Sequence, residues 1–201
     1  GRLVAEHVAN DRTRDYYWKL HSTIDPGIIR PLLKTNETRG LDLLELSSPP
    51  EIHAEVWGRF HRYDLLCARA HAVGTNLSFR GQSASRVEAQ VLYSNKVLTV
   101  LHPRVERGEE KAAADAIVAD FNARQVYITN AYGNMAPLVI ARAIGPKVGR
   151  TMEAYVFDRP PQARAYGVVP MKGEQGADLH FDVDGGPFHW WKFNISRISG
   201  H

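Results

Sequence analysis

The chain has 201 residues and carries a net charge of +3 from 25 basic and 22 acidic side chains. Its 44% apolar and 23% charged content is an ordinary globular mix, which argues against a disordered chain. The charges interleave, as in Val105-Glu106-Arg107-Gly108-Glu109-Glu110-Lys111, so no basic stripe for nucleic acid is present. One cysteine excludes an internal disulfide, so cytoplasmic residence or secretion without disulfides are both open. No stretch has the uninterrupted apolar length of a membrane helix, and the expected partners include neither membrane nor nucleic acid.

Residues 3–20 mix apolar and charged side chains and read as irregular or weakly helical. Pro26 and Pro31 interrupt the stretch after residue 20. Leu41 to Leu46 is a short apolar run, closed by Ser47-Ser48-Pro49-Pro50, the strongest linker signal in the chain. This divides an N-terminal extension, 1–50, from a domain spanning 51–201. Glu51 to His61 reads as a helix bearing Trp57 and Phe60. Asp64 reads as the N-cap of a second helix that carries Cys67 in its first turn and stops at Gly74.

Val87 to Tyr93 alternates as a strand should, and Lys96 to Leu101 reads as its hairpin partner across Ser94-Asn95. Glu109 to Arg124 has acids at its start and an Ala-rich middle, which predicts a helix. Gln125 to Thr129, Pro137 to Ile144 and Glu153 to Phe157 read as strands, with Gly145 to Gly149 as a hairpin loop. Helices mainly preceding strands predict an α+β domain.

Cysteine attacks as a thiolate, and a helix N-terminus favours that anion. Cys67 is therefore the candidate nucleophile, although a lone cysteine is more often a small packing residue. A base is also needed, usually a histidine. Among nine histidines, His71, His102, His180 and His189 are candidates, and spacing selects none of them. His180 and Asp182 alternate on one strand face near His189, but this is a poor metal-ligand spacing. Asp184-Gly185-Gly186 reads as a hairpin turn. Trp190 and Trp191 point to opposite faces of a strand, one toward a core. The glycosylation-type triplets at Asn36, Asn76 and Asn194 are short enough to arise by chance.

Three ordered stretches resemble bacterial protein-glutaminases, protein-glutamine deamidases on a papain-like fold. Cys67-Ala68-Arg69-Ala70-His71 is similar to their nucleophile helix, with Leu65-Leu66 in place of the usual Asp-Gly. Tyr132-Gly133-Asn134-Met135-Ala136-Pro137 resembles the strand that bears their base histidine. Glu153-Ala154-Tyr155-Val156-Phe157-Asp158 resembles the strand ending in their catalytic Asp. The resemblance implies a papain-like domain with a nucleophile helix packed on an antiparallel sheet. Cys67 would be nucleophile, Asp158 orienter, and Asn134 would stand where the base belongs. An amide takes no proton near neutral pH. The implied function is a divergent cysteine amidohydrolase or acyltransferase on a polypeptide or small carboxamide, without cofactor or metal. Its alternatives are a non-hydrolytic enzyme, such as a cyclase or transferase, and a catalytically silent binding module.

Overall fold

A computed structural model describes residues 1–28, 41–171 and 177–200. Pro31 and the triplet at Asn36 lie outside the described residues. The structure is mostly antiparallel strand, 63% against 11% helix, with two short α-helices among the described residues. This overturns the papain-like α+β expectation: no nucleophile helix exists, because the segment carrying Cys67 is a strand.

Most of the chain forms one 13-stranded antiparallel sheet. Its strands in chain order are β1 (Leu3–Ala9), β2 (Asp15–Ser22), β3 (Leu44–Leu46), β4 (Glu51–Arg59), β5 (Arg62–Phe79), β6 (Gln82–Ser94), β7 (Val97–Arg107), β8 (Glu110–Ala113), β9 (Ala116–Asp120) and β10 (Gln125–Gly133). After two helices, α1 (Pro137–Ile144) and α2 (Pro146–Met152), and β11 (Tyr155–Phe157), it is completed by β12 (Gln162–Pro170), β13 (Asp178–Gly185) and, at the end of the chain, β16 (Ile198–Gly200). A separate three-stranded sheet joins β11 to β14 (Phe188–Trp190) and β15 (Phe193–Ile195). The large sheet runs β1-β2-β4-β5-β6-β7-β8-β10-β12-β13-β16, with β3 on β5 and β9 between β7 and β10. It therefore continues without a break through the Ser47–Pro50 stretch, since β2 pairs β4.

Several expected helices are strands for one reason. Glu51-Ile52-His53-Ala54-Glu55-Val56-Trp57 and Cys67-Ala68-Arg69-Ala70-His71-Ala72-Val73 alternate strictly, so a strand puts all their small apolar residues on one side. Alanine favours helices, but here the cross-strand ladder prevails over intrinsic propensity. Glu109 to Arg124 likewise splits into β8 and β9 around Ala114 and Asp115. Residues 3–20 form the β1–β2 hairpin. Conversely, Pro137 to Ile144 is a helix with Pro at its start, where its missing N–H costs nothing. Pro146 likewise opens α2, so the expected Gly145 to Gly149 hairpin is instead a helix start.

The strands at Val87 to Tyr93 and Gln125 to Thr129 are present within the longer β6 and β10, and the expected Lys96 to Leu101 strand is β7, which starts one residue later at Val97 because Asn95 and Lys96, not Ser94 and Asn95, make the turn. Glu153 to Phe157 shortens to β11. Hairpin register is fixed by left-handed turn residues: Arg80 and Gly81 between β5 and β6, and Asn95 and Lys96 between β6 and β7. Asp184-Gly185-Gly186 is not a hairpin turn. There the chain leaves the large sheet for the small one, through a cis Gly186-Pro187 bond.

The packing is unusual for a chain of this length. The only buried apolar residues among those described are Ala84, Ala114, Met135, Ala141 and Phe188. No large side chain is fully buried. The two helices pack mainly on one another, and α1 also contacts β6 of the large sheet.

Candidate functional site: the two faces of the sheet

The ladder register assigns a face to each strand residue, because directly paired residues lie on the same side. One cross-strand row reads Ala5, Leu20, Ala54, Ala70, Val91, Val100, Ile117, Ile128, Gly167, Leu179 from β1 to β13. The adjacent row on the same face reads His7, Trp18, Val56, Ala68, Tyr93, Leu98, Ala119, Val126, Val169. Neither row contains an Asp, Glu, Lys or Arg. At about 4.8 Å per strand, the first row spans roughly 43 Å. Apart from Ala5 and His7, which are exposed, the residues of both rows are half-buried, and an uncharged stretch of that length exceeds the scattered apolar residues normal on a monomer.

Two bulges maintain this face. Val100 and Val105 are an odd number of residues apart, as are Ile128 and Ala131, yet each pair lies on the apolar side. The register shifts fall between them, at His102 and Asn130, both with positive φ. An extra residue in the ladder restores the alternation that odd spacing would break. His102 thus has a structural part, with its N–H donating to the Asp115 carbonyl at 2.9 Å.

The opposite face carries the charges over β1 to β6. Its rows read Glu6, Lys19, Glu55, Arg69, Leu92 and Val4, His21, His53, His71, Gln90, beside an apolar row of Val8, Tyr17, Trp57 and Cys67. Arg69 pairs with Glu55 at 2.6 Å. His71 Nε2 lies 3.1 Å from Glu88 Oε1, and Arg86 donates to the other oxygen of Glu88 at 2.9 Å. The Nε2 atoms of His21 and His53 both approach Glu51 Oε1, at 3.3 and 3.1 Å. A shallow depression of about 360 Å³ lies over these histidines, Glu55 and Arg69.

Glu51, Glu55 and Glu88 on this face are held below their ordinary range. Glu88 is lowered by its hydrogen bonds from Arg86 and then His71, and Glu55 by those from Arg69 and then Tyr17. At the sheet end, Arg62 lowers Asp64 and Arg59 lowers Asp15 in the same way. A carboxylate depressed in the folded state contributes stability above its unfolded pKa, and loses it as pH falls through the folded value. The melting temperature should thus stay flat from pH 7 to about 5 and fall below about pH 4 as these groups protonate. Asp15 and Asp64 are exposed and Glu55 and Glu88 are partly so, hence the fall should be modest and smaller in high salt. Thermal melts across that range check it; a melting temperature that rises on acidification contradicts it.

The three sequence-predicted site residues are not brought together. Cys67 lies on β5, on the polar-side parity, between Trp57 and Ser94, and its Sγ donates to Ser94 Oγ at 3.3 Å. Asn134 follows β10 and clasps the β7–β8 turn. Its Oδ1 accepts from the Lys111 N–H at 2.7 Å, its own N–H donates to the Lys111 carbonyl at 2.9 Å, and its Nδ2 reaches the Glu109 carbonyl at 3.3 Å. Asp158 follows β11 beside the small sheet, its N–H bonded to the Pro187 carbonyl at 3.1 Å. The Cys67 end of the sheet meets β10 at Gln125, nine residues before Asn134 and four strands from β5. Thiol and amide are thus about 25 Å or more apart. None of the candidate bases reaches the thiol. His71 is four residues further along β5 and pairs with Glu88, and His180 contacts Asp178 at 3.2 Å on β13. His189 is on β14 of the small sheet, apart from His180 and Asp182.

The family models, the curated proteins and the solved structures were each compared with the chain. None matches.

The sequence reading missed the apolar face. The signal was available: every second residue of 52–56, 68–74 and 87–93 is Ala, Gly, Val, Ile or Tyr, and the residues between are polar except Val73 and Leu92. It also missed the grouping of His21, Glu51 and His53, whose three ligand atoms lie within 4.8 Å of one another. The Glu-x-His spacing of Glu51 and His53 puts both on one strand face, but only the β2–β4 register supplies His21. In the small sheet, Trp190 lies near Tyr155 and Phe193 at 6.0 and 5.9 Å between ring centres, while Trp191 is 76% exposed and therefore no core residue. No helix among the described residues is long and apolar enough to cross a membrane.

Proposed function

We propose that this chain is a binding module, not an enzyme, and that its apolar sheet face takes up long aliphatic chains such as the acyl tails of a lipid. The uncharged row from Ala5 to Leu179 carries the reading. A protein partner would need hydrogen bonds, roughly one per 100–200 Å² of contact. This face offers few side-chain donors or acceptors: His7, Trp18, Tyr16, Ser22 and Tyr93 toward the β1–β6 end, and Arg107 and Glu110, which pair with each other at the β7–β8 turn. Ala54, Ala68, Ala70 and Ala72 line β4 and β5 on this face, which lets a polymethylene chain lie close to the backbone there. Burial of each methylene contributes about 0.8 kcal/mol. The cysteine amidase reading requires thiol, base and carboxylate in one pocket, and their separation supports no such step.

The two tryptophans of the β2–β4 pair provide a test. Trp18 lies on the apolar face and Trp57 on the polar one. A phospholipid with brominated acyl chains should quench the fluorescence of the full chain. The quench should persist in Trp57→Phe and largely disappear in Trp18→Phe. Quenching that ignores Trp18, or none at all, rejects the reading. A chain that instead dimerises through this face and takes up no lipid would place a second sheet there.

A further inference from the structure

We propose that His21, Glu51 and His53 form a binding site for a divalent transition metal of Zn²⁺ type, on the sheet face opposite the apolar rows. His21 on β2 is directly paired with His53 on β4, and Glu51 precedes His53 by one strand period, so all three share a face. The two imidazole rings stack with centres 4.2 Å apart and planes 7° from parallel. Their Nε2 atoms converge on a single oxygen, Glu51 Oε1, at 3.3 and 3.1 Å.

Those lengths fit a bound ion. Zinc binds imidazole nitrogen at 2.0–2.1 Å and carboxylate oxygen at 2.0–2.2 Å, almost always tetrahedrally. Two ligand atoms at such distances are about 3.4 Å apart across a tetrahedral edge. Both nitrogen–oxygen edges are already close to that length. The nitrogen–nitrogen edge lies within 4.8 Å and closes by a small tilt of the stacked rings. Two neutral imidazoles and one carboxylate are also a donor set that suits this ion.

Each ring would offer its Nε2 lone pair, with its proton on Nδ1, and the ion would exchange water for three protein ligands. A fourth position would keep water. The side chains are about half exposed (His21 47%, Glu51 56%, His53 56%), so an aqueous ion reaches them without opening the fold. Filled, the site would clamp β2 to β4 across the connection that spans residues 23–50.

Calorimetric titration of Zn²⁺ into the full chain tests the site. The expected result is one ion per chain with a dissociation constant near 1 μM, on the order of 8 kcal/mol. His21→Asn and His53→Asn should each weaken binding at least tenfold, and Glu51→Gln should weaken it measurably. His180→Asn, at the far end of the sheet, should leave it unchanged. Co²⁺ should give the intense visible bands of a tetrahedral complex with the wild type and lose them with His53→Asn. The proposal fails if Zn²⁺ binds equally to His53→Asn, or if no binding occurs below about 1 mM. It is independent of acyl-chain binding, because the two faces are read by different probes.

Discussion

Ala70→Asp should weaken capture of a brominated acyl chain at least tenfold, a loss of about 1.4 kcal/mol or more. Ala70 sits mid-row between Ala54 and Val91. A carboxylate there would have to give up water wherever a hydrocarbon chain crosses it, and an unpaired charge leaves water only at a cost of several kcal/mol. Ala70 is only half-buried, so the fold should tolerate the change better than the binding does. Arg69→Gln, one residue away but on the other face, should leave capture within about a factor of two, since the side-chain direction alternates along a strand. Quenching titrations on both variants, with thermal melts to confirm folding, check the contrast. Equal losses in the two would mean that the face does not decide binding.

Gly167→Val should be the most destabilising single change in the large sheet, costing about 2–4 kcal/mol. Gly167 lies in the same row, between Ile128 and Leu179, with φ +138°. A Cβ there would run into the carbonyl oxygen of Asp178, which is backbone and cannot swing aside. Relief would need β12 and β13 to separate. Gly200→Ala provides the comparison, because a Cβ at Gly200 meets nothing within 4 Å. Denaturant unfolding followed by circular dichroism should show a large shift in midpoint for the first and almost none for the second. A Gly167→Val chain as stable as the wild type would mean that the strands accommodate the clash by shifting register.

The parts of the fold legible in the sequence were those whose polarity and composition agree. Val87 to Tyr93 alternates and is β-branched or aromatic, so it reads correctly as a strand. Residues 51–57 and 67–73 alternate just as strictly, but their inward positions are mostly alanine, and helix propensity masked the period. Pro137 reads as strand because a valine and two isoleucines lie within seven residues after it, although proline at the first helical position decides otherwise. The site was less legible than the fold. A face is a property of register across many strands, and no local motif encodes it. Cys67-Ala68-Arg69-Ala70-His71 resembles a nucleophile helix, but the same five residues alternate in a ladder where Cys67 and His71 are about 13 Å apart.

β1 pairs only with β2 among the described strands, and its residues are exposed throughout. Its outer row of amides and carbonyls is therefore a template on which another extended segment can dock edge to edge. A strand added there that alternates small apolar with charged residues would lengthen the lipid-facing track by about 4.8 Å and change nothing in its chemistry. In such an architecture capacity grows by addition, one strand at a time, whereas an enclosed pocket must be rebuilt to hold a longer guest.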